Sequence, residues 1–191
     1  MVLATSCKPK SALITVTRQN AEGNIETYSV LRKDTTVRQG PFVILNASGD
    51  TLEKMNYEKG LIEGQRLIYG KNGKPYIIEH YRAGVYNGPY EAYYEEGHIK
   101  QKGQYVNGVM EGVWTTYYKE YPGVIKEEVT FSGGVENGPF KEYHTNGKIL
   151  AEGTYKDEFE DGELKVYDTT GLLRKIYIYK DKKPVKTIIV H

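Results

Sequence analysis

Polar and apolar residues alternate along this chain in short stretches, and most stretches end at a glycine or at an Asn-Gly pair. In "ILAEGTYK" the alternation places Ile149, Ala151, Gly153 and Tyr155 on one face and Glu152 and Thr154 on the other. That is the period-two signature of a half-buried strand. The punctuating glycines, several preceded by Asn as in Asn72-Gly73 and Asn146-Gly147, supply the positive φ that tight hairpin turns require. Strand, turn and strand recur, so the pattern predicts consecutive hairpins and almost no helix.

The punctuation is periodic. Gly40, Gly64, Gly88 and Gly112 stand 24 residues apart, Gly138 comes two residues late, and Gly162 resumes the spacing. Six units therefore run over residues 40–185. A hairpin glycine follows nine residues after the opening one, at Gly49, Gly73, Gly97, Gly147 and Gly171, and an aromatic follows at Tyr57, Tyr81, Tyr105, Tyr155 and Tyr179. A second turn uses Gly60, Gly84 and Gly108, and Glu63, Asn87, Glu111, Asn137 or Asp161 precedes the next unit's glycine. The late glycine traces to "YYKEYPGVIKEE", where Pro122-Gly123 extends one hairpin loop by two residues. Insertions in repeats map to loops at an edge of the array.

The first strand of each unit has a bulky residue two places after its glycine, at Phe42, Tyr90, Trp114, Phe140 and Leu164, and a tyrosine five places after it, at Tyr69, Tyr93, Tyr117, Tyr143 and Tyr167. These offsets differ in parity, so either both faces are partly covered or a bulge shifts the register. Residues 11–39 read as a degenerate capping hairpin, residues 1–10 as a tail or the remnant of a lipoprotein signal, and residues 186–191 as the end of a closing strand that blunts the sheet edge. The fold expected is all-β: one elongated, twisted antiparallel sheet of successive hairpins. Fourteen strands at about 4.8 Å would make a ribbon roughly 65 Å long.

Composition narrows the function. Lysine and arginine (26) nearly balance aspartate and glutamate (25), and the net charge of +1 gives no footprint for nucleic acid. Cys7 is the only cysteine, which excludes an internal disulfide framework and a cysteine-based zinc site. It closes "MVLATSC", which looks like the tail of a bacterial lipoprotein signal. A lipidated Cys7 would put the protein at the cell envelope, and an unmodified one in the cytoplasm. No catalytic set, cofactor or metal site is expected. His144 stands where other units have Tyr94, Tyr118 and Asp168, His80 and His98 fall at unrelated offsets, and neighbouring Glu127 and Glu128 point to opposite faces. Lys180, Lys182, Lys183 and Lys186 form a basic cluster that suits a solvated terminal hairpin or contact with anionic lipid. The 18 tyrosines either fill the core or present a ladder to a protein or sugar partner. Candidate partner-binding residues are Tyr93, Tyr117, Tyr143, Tyr167, Trp114 and Pro122.

Two stretches, "GPYEAYYEEGHIKQKGQYVNGVMEG" and "GPFKEYHTNGKILAEGTYKDEFEDG", resemble the MORN repeat, in the variant found in bacterial proteins often labelled YwqK-like antitoxin components. The resemblance covers residues 40–185, with Arg66 in place of an aromatic, Leu45 in place of a tyrosine and Glu158 in place of a turn glycine. It implies a non-catalytic scaffold for a protein partner, a toxin in its narrower form. The alternative is a glycan, cell-wall or anionic-lipid binding module, although a single tryptophan is poor material for the cages that such modules use.

Overall fold

The six glycine-opened units, numbered one to six from Gly40, each form an antiparallel hairpin, and neighbouring hairpins pair in turn to make one open sheet. The structure, a computed structural model, describes residues 12–190. Among the described residues there are eighteen strands and no helix. Three of the strands, Leu61–Ile62, Val85–Tyr86 and Phe159–Glu160, are short pieces that continue a longer strand across a bulge. Counted that way the sheet has fifteen rungs, one more than the repeat count predicts. The extra rung is Lys183–Ile189, which pairs with Leu173–Lys180. It is exposed throughout, with Val185 at 61%. Instead of blunting the sheet edge, this strand is itself the edge, and only Pro184, which lacks an N–H, interrupts its donors. At the other end Leu13–Gln19 and Ile25–Leu31 form the capping hairpin.

Each unit carries two irregularities, and together they answer the parity question. At the hairpin, Tyr93 faces Ile99 while Ala92 faces Gln101, so Lys100 is an extra residue on the second strand. Tyr76, Lys126, Leu150 and Arg174 are extra in the same way. Ile149, before that bulge, pairs with Tyr143, whereas Ala151, after it, pairs with Glu142. Ile149 therefore lies on the face opposite Ala151, Gly153 and Tyr155, a correction to the simple alternation. At the opening glycine, Lys102 faces Thr115 while Gln104 faces Glu111, so one residue, Gly103, opposes three on the other strand, residues 112–114. Gly112, at φ 71°, turns that bulge. Between the two bulges the first strand is regular: Trp114, Thr115 and Thr116 face Val129, Glu128 and Glu127. Trp114 and Tyr117 consequently point to opposite faces. Both faces are partly covered, and a bulge is present as well, on the partner strand.

One face holds the core. The Trp114 ring meets Tyr105 at 5.1 Å, Tyr90 at 5.4 Å and Phe131 at 6.2 Å. It lies directly on Gly103, where a Cβ would come within 2.2 Å of the indole. Phe140 stacks on Tyr155 at 4.2 Å over Gly153, in the same arrangement. In unit two Arg66 occupies the equivalent place, bonded to Glu53 at 2.7 Å and to Glu79 at 3.0 Å. Tyr81 and Tyr86 also donate to Glu79, both at 3.0 Å. The opposite face carries a row in direct cross-strand register, Glu91, Lys102, Thr115, Glu128, Lys141, Glu152 and Lys165. Charges of opposite sign alternate along most of it, each such pair stabilising by a few tenths of a kcal/mol to about 1 kcal/mol.

Units are tied to each other at both ends of the hairpins. At the second turn two successive residues have positive φ, as in Lys59-Gly60, Ala83-Gly84 and Asn107-Gly108. The second N–H reaches back to the preceding unit: Gly84 to the Ile62 carbonyl at 2.9 Å, Gly108 to Tyr86 at 2.8 Å and Gly134 to Met110 at 3.0 Å. The first N–H is taken by the side chain that precedes the opening glycine, Ala83 by Glu63, Asn107 by Asn87 and Gly133 by Glu111. The recurring acid or amide at that position thus clamps the next unit's turn.

Candidate functional site

Cys7 lies outside the described residues. Of the other positions expected to meet a partner, two belong to the fold. Trp114 is 3% exposed and Tyr117 is 8% exposed. The regular first strand turns one ring into the core face and the other against Thr115 and Lys102, with the Lys102 ammonium 5.8 Å from the Tyr117 ring centroid. Tyr93, Tyr143 and Tyr167 are half-buried on the same face as Tyr117. Their phenols donate to carboxylates of the charged row: Tyr93 to Glu91, Tyr143 to Glu128 at 2.6 Å and Tyr167 to Glu152 at 2.7 Å. Burial, then the Glu128 bond, pushes Tyr143 up to about 12. For Tyr167 the Glu152 bond leads and burial follows, with the same result of about 12. These tyrosines are pinned, neutral hydroxyl donors on a mixed-charge surface. Pro122 is exposed in the extended loop of unit four beside Tyr121, which is exposed and meets the Tyr118 ring edge-on at 6.3 Å.

His80, His98 and His144 each hold a backbone carbonyl. His80 Nδ1 bonds Pro89 O at 2.7 Å and His98 Nε2 bonds Lys119 O at 2.9 Å. His144 Nε2 bonds Tyr167 O at 3.1 Å, the service that Tyr94 performs for Tyr117 O at 2.8 Å and Tyr118 for Tyr143 O at 2.6 Å. Glu127 faces Glu142 on the core side, while Glu128 faces Lys141 on the other. Burial, then Glu142, pushes Glu127 above the usual carboxylate range. Among the described residues no group of three or more His, Cys, Asp or Glu is placed to hold a metal ion. In the terminal basic cluster, Lys182 sits 3.8 Å over the Phe159 ring, and Lys180, Lys183 and Lys186 are exposed.

The most regular surface feature is one that strand periodicity does not reveal. Leu61, Val85, Val109, Val135 and Phe159, one residue from each successive second turn, are between 36% and 50% exposed. Leu61, Val85 and Val109 pack against the next unit's turn: a Cβ at Gly84 would lie 3.4 Å from Leu61, at Gly108 3.3 Å from Val85, and at Gly134 3.3 Å from Val109. Side chain and turn backbone alternate into an apolar strip along one long edge. A protein surface tolerates scattered apolar residues, but here they are aligned from unit to unit. The signal was present in the repeat, since every rung directly follows the second residue of a turn.

The family model described as MORN repeat variant matches residues 86–107 and 136–157. No curated protein matches the chain. MORN repeats serve in binding proteins or membrane lipids. The two matched segments cover equivalent stretches of units three and five, from the second turn of one hairpin to that of the next, so both are similar to the MORN repeat variant, and the same hairpin anatomy recurs along the sheet.

Proposed function

We propose that the chain is a non-catalytic scaffold that docks a protein partner along the apolar edge formed by Leu61, Val85, Val109, Val135 and Phe159. The observation that carries this reading is the regularity of the strip. A purely structural need would be met by any small residue against the turn glycines, yet each rung is a branched aliphatic or aromatic residue left well exposed. Burial of such side chains contributes roughly 25 cal/mol per Å². The mixed-charge face beside the strip, with alternating Glu and Lys, would set the partner's register rather than supply most of the affinity. The narrower forms of the reading, a toxin as the partner and lipidated Cys7 as a membrane anchor, rest on the repeat resemblance and on the "MVLATSC" segment. A tryptophan cage for choline or glycan is disfavoured because Trp114 is enclosed by Tyr90, Tyr105 and Phe131.

The test is a photo-crosslinking residue at position 109 in native cells. It is expected to trap one protein species of defined mass, and the adduct should disappear when Val85 and Val135 are both replaced by Asp. Adducts that contain only lipid, or a protein adduct indifferent to the two aspartates, would refute the reading.

A further inference from the structure

The sixth residue after each opening glycine is Asn46, Gly70, Tyr94, Tyr118, His144 and Asp168 in successive units. In units three, four and five it is a ring, and each ring reaches the carbonyl of the next unit's fifth-place tyrosine, at 2.8, 2.6 and 3.1 Å. Unit two has Gly70 instead, and among the described residues no side chain donates to the corresponding carbonyl, that of Tyr93.

The backbone does not need glycine there. Gly70 is absent from the positions with positive φ. A Cβ on it would meet nothing closer than Asn72 Oδ1, at 3.4 Å. What the glycine does is leave space. A cleft of about 300 Å³ opens between the hairpin loops of units two and three, lined by Tyr69, Gly70, Tyr76 and Tyr94 with Lys71 and Lys74. Its aromatic wall is also specific to this unit: Tyr76 occupies the bulge position filled by Lys100, Lys126, Leu150 and Arg174 elsewhere. Outside the cleft, the Lys54 ammonium lies 5.5 Å from the Tyr69 ring centroid. Glu95 is the one acidic residue at the rim.

We propose that this cleft is a binding slot for a phenol that carries an anionic group. The ring takes the place that Tyr94 and Tyr118 fill in their own units, and its O–H is donated to the Tyr93 carbonyl. Tyr69, Tyr76 and Tyr94 supply ring contact. Lys71 and Lys74 face the anion. The phenol is either a free small molecule or a tyrosine side chain of a partner beside an acidic residue. The inference goes beyond the scaffold reading, and its test uses small probes, so a failure here leaves the docking edge untouched.

The test is a titration of the isotopically labelled protein followed by amide chemical shifts, with 4-hydroxyphenylacetate, phenylacetate and the blocked peptide Ac-Asp-Tyr-NH2. The phenol is expected to give saturable shifts confined to residues 69–76 and 93–95, and phenylacetate, which lacks the donor, to bind about tenfold more weakly. Tighter binding of the peptide than of 4-hydroxyphenylacetate would assign the slot to a partner's tyrosine, and the reverse order to a free ligand. Gly70→Tyr fills the slot from within, so it should abolish binding and raise Tm. The proposal is overturned if 4-hydroxyphenylacetate produces no saturable shift, if phenylacetate binds equally well, or if Gly70→Tyr folds and still binds the phenol. Should Gly70→Tyr not fold, the wild-type titration decides alone.

Discussion

Units two and four solve the same packing problem with opposite chemistry. Two residues after its glycine, unit four puts Trp114, a large ring pressed on Gly103 and boxed by Tyr90, Tyr105 and Phe131. Unit two puts Arg66 there, its guanidinium held by Glu53 and Glu79, with Tyr81 and Tyr86 completing the hydrogen bonds of Glu79. The aromatic solution fills volume but leaves the indole N–H buried without a partner among the described residues. The ionic solution is saturated with hydrogen bonds but removes charges from water. The repeat therefore demands a filled space at this position and accepts either carbon or charge to fill it.

The largest effect expected from breaking this comparison is on the aromatic side. Trp114→Ala should cost about 3–5 kcal/mol, the range for emptying a buried aromatic site, measured as a fall in the urea midpoint. Trp114→Phe should cost far less, since it keeps a ring on Gly103 and removes the unpartnered donor. Next comes Arg66→Phe, which gives unit two the aromatic of its neighbouring units yet leaves the Glu79 carboxylate buried without its cation. It should destabilise by roughly 3 kcal/mol, the low end for breaking a buried pair because the arginine is partly exposed. The triple variant Arg66→Phe, Glu53→Leu, Glu79→Leu should recover most of that loss. If it does not, the two solutions are not interchangeable.

A smaller effect lies at the second turn. Unit five uses Asp157-Glu158 where earlier units use glycine, and Glu158 is held at φ 69°. Glu158→Gly should stabilise by about 1 kcal/mol, readable as a rise in Tm. The smallest effect is electrostatic. Gln101 faces Thr116 in unit three, whereas at the matching place Glu127 faces Glu142. Burial and then that neighbour raise Glu127, so the folded state keeps its proton to higher pH than the unfolded chain does. The associated stability is present in full below the unfolded carboxylate value and is lost as pH rises through the folded one. Glu127→Gln should flatten stability against pH over that window. A wild-type profile as flat as the variant's would remove the facing pair from the comparison.

The sequence was a good guide wherever a property repeats once per unit. Hairpins, turns, the insertion at Pro122-Gly123 and the single-sheet architecture all follow from glycine spacing, because positive φ leaves little choice of residue. Face assignment was not legible across the hairpin bulges. One extra residue such as Leu150 reverses the side on which Ile149 lands, and nothing in its own chemistry announces this. The same blindness put Trp114 and Tyr117 among candidate contacts: a large ring on a strand has the same letter whether a neighbouring glycine makes room for it or not. Gly103 was in view, but its role depends on a contact with a ring eleven residues away. The apolar edge could have been read from Leu61, Val85 and Val109, each following a turn glycine. It escaped because hairpin turns are expected to be polar.

The clamps between units have a mechanical consequence. Bonds such as Ala83 to Glu63, Tyr94 to Tyr117 and Tyr118 to Tyr143 span 20 to 25 residues of sequence. Each hairpin is thus fastened to its neighbours rather than to a shared centre, as in other linear arrays. Such a ribbon can begin to fold at whichever hairpin closes first and grow in either direction. Pulled by its ends, it should yield in steps of about one hairpin, behaving more like a zip than a globule.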